Sequence, residues 1–226
     1  MKTLVVISHS NFAESATQQF LFSAVNKREK VKVRHLDSVL KDSLTGHFNQ
    51  QLERQAMEEV DRIIFQFPMY WYSCPAVLKQ WMDEVLDIVW AKRIGQKEVG
   101  IVINMGVKEQ SYQAGGREQF TLSELLRPFQ ATVNALGWQY LAVFPIYQFA
   151  YMTETEKQLL LVNYQRYLTQ GQFESFQATE DWFKAELHRL KEHKNPDIHY
   201  EKIESWLADC QDERLELAMH LEGFGD

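Results

Sequence analysis

Short apolar runs alternate along the chain with segments whose apolar residues recur at helical spacing. Five runs are typical of strands, namely Leu4–Ser8, Val31–Leu36, Ile63–Phe67, Val99–Asn104 and Tyr140–Phe144. The first, third and fourth are almost wholly apolar, as expected of parallel strands covered on both faces. Helical spacing predicts intervening helices at about residues 14–26, 50–60, 75–90 and 121–137. This alternation predicts an α/β fold, a doubly wound five-stranded parallel sheet with helices on both faces.

The pattern changes near Gly171, after one more amphipathic helix from Thr153 to about Thr169. Residues 172–226 hold 14 acidic and 6 basic side chains, whereas the preceding part is almost neutral. Asn195-Pro196, a helix-starting pair, separates two apolar stripes, which consist of Phe183, Leu187 and Leu190, then Tyr200, Ile203, Leu207, Cys210, Leu217 and Leu221. We therefore expect two domains, residues 1–171 and an acidic, helical C-terminal extension at 172–226.

Composition narrows the function classes. The chain of 226 residues is 45% hydrophobic and 24% charged, with a net charge of −7 and no basic stripe, which disfavours nucleic-acid binding. No apolar run reaches the ~20 residues of a membrane span, so we expect no membrane insertion. Cys74 and Cys210 lie far apart without metal-site spacing, and the spacing of His188, His193 and His199 favours a solvated helix over a metal site. We expect a cytoplasmic protein without a metal.

The segment from Phe65 to Trp81 is the most informative one. An apolar run ends in Pro68, three consecutive aromatic residues follow, and Pro75 opens an amphipathic helix. A loop of this kind can hold a flat ring against backbone N–H groups. The aromatics alone are also typical of a hydrophobic corner that only fills core.

The first strand ends in a polar loop, His9 to Gln18, at the start of a helix. Helix N-termini attract anions through unpaired N–H groups, so a phosphate group could bind there, although a simple helix cap would look the same. The chain lacks the glycine fingerprints of dinucleotide-binding Rossmann folds and P-loops, which disfavours both.

Three segments together carry a family resemblance. They are Gln66–Asp83, with the pattern Q-F-P-x-x-W-[YF]-x-x-P-A-x-L-K-x-W-x-[DE], then Tyr112–Arg117 with the residues that follow to Phe129, and the His9–Gln18 loop. From about Met1 to Gln170 the chain resembles the flavodoxin-like NAD(P)H:quinone oxidoreductases, especially short bacterial members such as modulator-of-drug-activity reductases and general stress proteins. The resemblance implies a flavodoxin-like fold.

The resemblance also implies a flavin, FMN or FAD, at the carboxyl edge of the sheet. Its phosphates would be held by His9, Ser15, Thr17 and Gln18. Its ring would be lined, and given backbone N–H groups, by Pro68, Met69, Tyr70 and Trp71. The polar edge of the ring would face Asn104, Met105, Gly106 and Val107. Tyr112, the candidate catalytic residue, would stack or hydrogen-bond nearby.

The implied reaction passes a hydride from NAD(P)H through the flavin to a quinone, a nitroaromatic or a similar two-electron acceptor. A flat acceptor needs a flat apolar slot, which the aromatic loop would supply. The resemblance further implies a homodimer with active sites at a two-fold interface.

The chain departs from the family pattern at several positions. The fourth strand usually ends in T-T-G-G, where this chain has Asn104 to Val107, and Gln18 replaces an asparagine. The loop at 91–96 is short, and Glu118 stands near the place of a proton-transferring histidine in larger members. A second hypothesis is therefore a flavodoxin-like regulatory or binding subunit with weak or no turnover.

Overall fold

The computed structural model describes residues 1–25, 28–171, 175–192 and 199–222. Contacts divide the chain into two compact units, Met1–Thr169 and Gln170–Asp226. The expected domain boundary after residue 171 lies two residues from this division. Whether the second unit is dispensable for folding of the first stays a prediction.

The first unit contains a parallel sheet with the order β2-β1-β3-β4-β5, and β6 also pairs with β4. Its strands are β1 (Thr3–Ile7), β2 (Val31–His35), β3 (Arg62–Pro68), β4 (Glu98–Met105), β5 (Gln139–Tyr140) and β6 (Phe144–Tyr147). The order reverses between β1 and β3, the point at which doubly wound sheets bind ligands. The predicted fold class is confirmed.

The fifth strand differs from the prediction because it is split. β5 and β6 both lie beside β4, with residues 141–143 between them. In the gap, the Tyr167 hydroxyl accepts a hydrogen bond from the Ile101 N–H at 3.2 Å and donates one to the Ala142 carbonyl at 2.7 Å. A side-chain hydroxyl thus satisfies backbone groups that a continuous strand would have paired.

Helices surround the sheet. They are α1 (Ala16–Ser23), α2 (Leu36–Lys41), α3 (Gln50–Glu58), α4 (Ala76–Val85), α5 (Ile88–Ile94), α6 (Leu122–Leu125), α7 (Arg127–Ala135) and α8 (Glu154–Thr169) in the first unit, and α9 (Phe176–Glu192) and α10 (Tyr200–Glu222) in the second. The helix predicted at 75–90 is two helices, because Leu86 is extended and Asp87 caps a new start by accepting from the Trp90 N–H. The helix predicted at 121–137 also breaks, at Leu126, before a first-turn proline.

The alternation of side chains along the strands separates two faces. Ile63, Phe65 and Phe67 of β3 belong to a core cluster with residues of α2, α3, α4, α5 and α7. The intervening residues face α1 and α8, as the hydrogen bond from the Tyr164 hydroxyl to Gln66 shows. Gly100 permits the close approach of α8, since a Cβ there would lie 2.3 Å from the Tyr167 hydroxyl.

In the second unit, α9 and α10 pair through polar contacts whose order reverses along the chain. Lys184 bonds Gln211, Lys191 bonds Glu204 and Arg214 bonds Glu180, so the two helices are antiparallel. Of the predicted stripe in α9, only Leu187 is buried, whereas Phe183 and Leu190 are partly exposed. The predicted cap at Asn195-Pro196, like His193, lies outside the described residues. Among the helices described, none is long and apolar enough to cross a membrane.

Candidate functional site at the carboxyl edge of the sheet

Strand register brings the predicted site segments to one edge. Ile7 lies opposite Gln66, and Pro68 lies opposite Asn104. The loop after β1, the aromatic segment after β3 and the segment that ends β4 therefore start side by side. This edge is where open α/β sheets bind their ligands.

The loop between β1 and α1 is fixed by buried and half-buried polar groups. One carboxylate oxygen of Asp37 accepts from the Ser8 hydroxyl at 3.1 Å and from the His9 N–H at 2.8 Å. The Ser15 hydroxyl caps α1 by accepting from the Gln18 N–H. Ser15 and Thr17 are both half-buried at the start of this helix. The amide groups at the start of α1 are thus held in place by the cap.

His9 is half-buried in this loop, and burial lowers the pKa of its imidazole, which outweighs the opposite effect of Asp37. Its Nδ1 atom accepts from the Asn11 N–H at 3.1 Å, which leaves the proton of the neutral ring on Nε2. The loop from residue 9 to residue 18 contains no lysine or arginine. An anion here would therefore depend on N–H and hydroxyl donors rather than on a permanent positive charge.

Gln18 occupies a different place from the one its predicted role requires. Its side chain is fully buried, and its amide bonds the side chains of Gln66 and Asn104 at 2.6 and 3.1 Å. The backbone N–H of Gln18 donates to its cap, Ser15. In this conformation neither the side-chain amide nor the backbone N–H of Gln18 is available to a phosphate. Gln18 could contribute to phosphate binding only by helping to position α1.

The aromatic segment forms a two-residue hairpin at the end of β3. Tyr70 and Ser73 exchange backbone hydrogen bonds of 2.9 and 3.0 Å, and the two central residues, Trp71 and Tyr72, have φ angles of 48° and 63°. Both are left-handed conformations that asparagine and glycine prefer in such turns. The Trp71 side chain is 94% exposed, and Tyr70 and Tyr72 are 42% and 47% exposed. The interpretation of these aromatics as mere core filling is wrong.

Backbone donors in this segment are fewer than expected. Pro68 has no N–H group, the Met69 N–H donates to the Asn104 carbonyl at 3.0 Å, and the Tyr70 N–H closes the hairpin. Within the described ranges, the N–H groups of Trp71 and Tyr72 have no partner. Ring-binding N–H groups are therefore available at the hairpin tip rather than along the whole of residues 68–71.

The end of β4 supplies a mixed edge. Asn104 is half-buried, and Met105 is buried with its carbonyl accepting from the Gln148 N–H. Gly106 is exposed, with open space around the place of a Cβ atom. Val107, which replaces a family glycine, packs against the hydrophobic core cluster. The valine side chain therefore turns toward the protein, and the exposed part of this edge is Gly106.

Tyr112 lies in the loop after β4 with its ring buried and 6.4 Å from the ring of Tyr147. Among the described residues, the Tyr112 hydroxyl has no hydrogen-bond partner. It is not fully buried, so it is accessible to a ligand. Burial raises the pKa of this hydroxyl, and Glu118 and Tyr72 raise it further. Tyr112 is thus a neutral, accessible hydrogen-bonding group, although its part in catalysis stays a prediction.

Sequence reasoning gave no site role to Tyr72, Gln66 or Tyr164. Tyr72 donates a hydrogen bond to Glu118, which the sequence singled out only as a departure from the family pattern, and Tyr164 reaches Gln66 from α8. Gln66 could have been found, because it begins the Q-F-P signature. Tyr164 gave no signal, since a tyrosine on a buried helix face is ordinary core.

A separate surface groove of about 480 Å³ lies between α3 and α5, lined by Gln50, Gln51, Arg54, Gln55, Glu58, Trp90 and Arg93. None of the predicted site residues lines it. In the described part of the chain no group of acidic, cysteine or histidine residues is arranged to hold a metal ion.

Comparisons with known proteins agree with this architecture. The chain is 39% identical over 152 residues to the NAD(P)H oxidoreductase YrkL of Bacillus subtilis. The aligned part covers 65% of this chain and 86% of the relative. It is 38% identical to general stress protein 14 of the same organism, over 65% of this chain and 85% of the relative.

Two solved structures are similar as well. An NADPH-quinone reductase from P. pentosaceus has a TM-score of 0.70 and 39% identity, over 76% of this chain and 100% of that one. General stress protein 14 from Treponema denticola, solved in complex with FMN, has a TM-score of 0.66 and 28% identity, over 74% of this chain and 98% of that one. Residues 1–170 match the family model Flavodoxin_2, described as a flavodoxin-like fold. The strand order and the loops at the carboxyl edge agree with these matches. The chain therefore belongs to the Flavodoxin_2 family of the flavodoxin-like fold.

Proposed function

We propose that this protein is a flavin-dependent NAD(P)H oxidoreductase that passes a hydride from NAD(P)H, through FMN or FAD, to a quinone or a similar two-electron acceptor. The observation that carries the proposal is the exposed aromatic hairpin of residues 70–73 beside the capped loop of residues 9–18. The similarity to a quinone reductase and to an FMN complex supports it, and the latter favours FMN over FAD.

The residues at the edge fit a flavin. The hairpin offers flat aromatic surfaces together with the N–H groups of Trp71 and Tyr72, which have no partner among the described residues. This combination suits a ring with apolar faces and a polar rim. Gly106 leaves open space beside it. The capped start of α1, with Ser15 and Thr17 half-buried, suits a phosphate through backbone donors and the helix dipole.

A bound flavin would supply the hydride-accepting and hydride-donating ring. The chain's own residues would orient it and shape the slot above it. The aromatic hairpin would hold flat molecules in a partly dry environment, and the neutral Tyr112 hydroxyl would donate a hydrogen bond to the ring or to the acceptor. The neutral His9 would donate through Nε2 to a phosphate oxygen.

The test begins with the purified protein. We expect it to be yellow or to take up added FMN, to oxidise NADH or NADPH in the presence of menadione, and to follow ping-pong kinetics. Trp71→Ala is expected to weaken flavin retention without unfolding the protein, whereas Tyr151→Ala, which removes another largely exposed aromatic side chain, serves as the control. A colourless protein that refuses FMN and FAD would contradict the proposal.

The second candidate is a flavodoxin-like binding or regulatory subunit with little turnover. It is favoured by the backbone of Met69 and Tyr70, whose N–H groups are occupied inside the protein, and by Val107 in place of a family glycine. Normal flavin content with menadione reduction no faster than that of free flavin would support it over the first candidate.

We also propose a homodimer. Exposed apolar side chains near the edge, Trp71 and Phe120 among them, would be covered by a second copy of the chain. Light scattering that shows a monomer at micromolar concentration would contradict this. A cytoplasmic location and nitroaromatic acceptors stay predictions.

A further inference from the structure

Four polar side chains from four elements form a continuous chain of hydrogen bonds beneath the carboxyl edge. The Tyr164 hydroxyl of α8 donates to Oε1 of Gln66 on β3 at 2.6 Å. Nε2 of Gln66 donates to Oε1 of Gln18 on α1 at 2.6 Å, and Nε2 of Gln18 donates to Oδ1 of Asn104 on β4 at 3.1 Å. We call these four residues the amide relay.

The buried end of the amide relay, at Tyr164, determines which atom donates and which accepts in each of its hydrogen bonds. Tyr164, Gln66 and Gln18 are completely buried, so every hydrogen-bonding group they carry must find its partner inside the protein. If the three amides were turned around, Gln66 would donate to the Tyr164 oxygen and the phenolic proton would have no acceptor among the described residues. A buried donor without an acceptor is costly, whereas an unused lone pair costs little. Tyr164 must therefore donate, and each amide in turn follows.

The outer end of the amide relay is Asn104. Because its Oδ1 accepts from Gln18, its Nδ2 group is left to point away from the relay. Asn104 is half-buried, and its Nδ2 group has no hydrogen-bond partner within the described ranges. This group is not fully buried, so it is accessible to a ligand. The carbonyl of the same residue accepts from the Met69 N–H, which places Asn104 directly beside the start of the aromatic hairpin.

We propose that Tyr164, Gln66 and Gln18 are positioning residues that fix Asn104 as a hydrogen-bond donor to the polar rim of the flavin ring. The inference rests on the proposed function and extends it. A donor at the rim stabilises the electron-rich reduced ring more than the oxidised ring, so the relay raises the reduction potential of the bound flavin. Gln18 and Asn104, two positions at which the chain departs from the family pattern, are thus direct hydrogen-bond partners in the amide relay.

The first test replaces Tyr164 with phenylalanine in the full-length protein loaded with FMN. Without the phenolic donor, Oε1 of Gln66 loses its partner, so the amides are held less firmly in place and Asn104 presents its donor only part of the time. We expect the ratio of the affinities for reduced and oxidised FMN to fall about tenfold, which is a decrease of about 30 mV in the two-electron potential. Spectroelectrochemical titration measures this potential, and fluorescence quenching measures the affinity for oxidised FMN.

Tyr167→Phe is the matched control. Tyr167 lies one helical turn further along α8, is also buried, and bonds backbone groups of Ile101 and Ala142 instead of the relay. We expect it to lower the thermal midpoint about as much as Tyr164→Phe does and to leave the potential unchanged. Equal changes in potential for the two variants would mean that general loosening of α8 is the cause, and would overturn the inference.

A double variant tests whether the relay acts through Asn104. Asn104→Asp keeps the shape of the side chain but replaces the donor with an acceptor, and we expect a lower potential than that of Tyr164→Phe. Adding Tyr164→Phe to Asn104→Asp should change the potential no further, because the relay then has no donor to orient. Additive shifts would overturn the inference.

Failure of the proposed function can be told apart from failure of this inference. If the wild-type protein binds no flavin, the proposed function fails and this inference fails with it. Normal flavin binding with identical potentials in the wild type and the variants refutes the relay alone.

Discussion

The Tyr72 hydroxyl donates a 2.8 Å hydrogen bond to Oε2 of Glu118, which joins the aromatic hairpin after β3 to the loop after β4. The two residues are 46 positions apart, and Tyr72 holds a left-handed backbone conformation while it makes this bond. The bond therefore ties together two of the loops at the edge that we propose to bind a flavin. It also places a carboxylate near Tyr112, whose pKa it helps to raise.

Replacing Glu118 with glutamine should lower the pKa of Tyr72 toward its ordinary value. In the wild-type protein the hydrogen bond to Glu118 and its negative charge both raise that pKa, because they disfavour a phenolate beside a carboxylate. The amide of Gln would keep the acceptor and remove the charge. Ultraviolet titration of tyrosinate in Glu118→Gln, with Tyr72→Phe to identify the signal, checks this. Superimposable titration curves for wild type and Glu118→Gln would show that the loops separate in solution.

Trp71→Asn should stabilise the flavin-free protein and weaken flavin binding. Asparagine tolerates the left-handed conformation that costs a tryptophan about 1 kcal/mol, and the exposed indole loses no core packing when it is removed. Loss of ring stacking should reduce FMN affinity about tenfold. Urea unfolding and FMN titration measure the two effects. An unfolding midpoint that falls, with FMN affinity unchanged, would mean that Trp71 packs against the protein.

Tyr140→Phe should stabilise the protein by about 1 kcal/mol at neutral pH, because the Tyr140 hydroxyl is buried without a hydrogen-bond partner among the described residues. Burial also raises the pKa of Tyr140 to about 12. The folded state then holds this proton more tightly than the unfolded state does. The associated stability is present below about pH 10, the ordinary tyrosine pKa, and is lost as pH rises toward 12.

Urea-unfolding midpoints measured between neutral and alkaline pH check both parts of this prediction. Tyr140→Phe should lose less stability above pH ~10 than the wild type does. Tyr151→Phe is the control, since Tyr151 is exposed and should behave as the wild type. A midpoint that falls at neutral pH in Tyr140→Phe would show that its hydroxyl has a partner, such as a bound water.

Ending the chain after Gly171 should leave a folded unit that still binds flavin. The sheet, the amide relay and the aromatic hairpin all precede this residue, and the P. pentosaceus reductase is covered over its full length by only 76% of this chain. We expect cooperative unfolding and one FMN per chain, measured by calorimetry and absorbance. An insoluble product would contradict the appendage interpretation. Unchanged flavin content with altered menadione kinetics would instead give the extension a role in turnover.

The sheet could be predicted to within one or two residues at β1, β3 and β4, because strands covered on both faces must be apolar along their whole length. The fifth strand was harder, since its break depends on Tyr167, a residue more than 20 positions later. The break between α4 and α5 depends on the capping side chain of Asp87, a local signal that a purely apolar pattern overlooks.

The sequence could predict which edge of the sheet carries the candidate site, but not the contacts among the side chains at that edge. Loops after neighbouring parallel strands start at the same edge of a sheet, so the loop after β1, the aromatic segment after β3 and the end of β4 could be expected side by side, as the strand register has them. The direction in which Gln18 points is set by partners on β3 and β4, which no local pattern encodes. The hairpin was also hidden, because Trp71 and Tyr72 stand where sequence rules expect asparagine and glycine.

The split fifth strand also bears on how the molecule avoids unwanted association. β5 and β6 form the outer edge of the sheet, and an unbroken edge strand offers a row of free backbone groups to which a foreign strand can add. Here that row is cut into pieces of two and four residues, and Pro145 removes one donor from the second piece. The interruption that Tyr167 bridges therefore leaves too short a template for edge-to-edge aggregation.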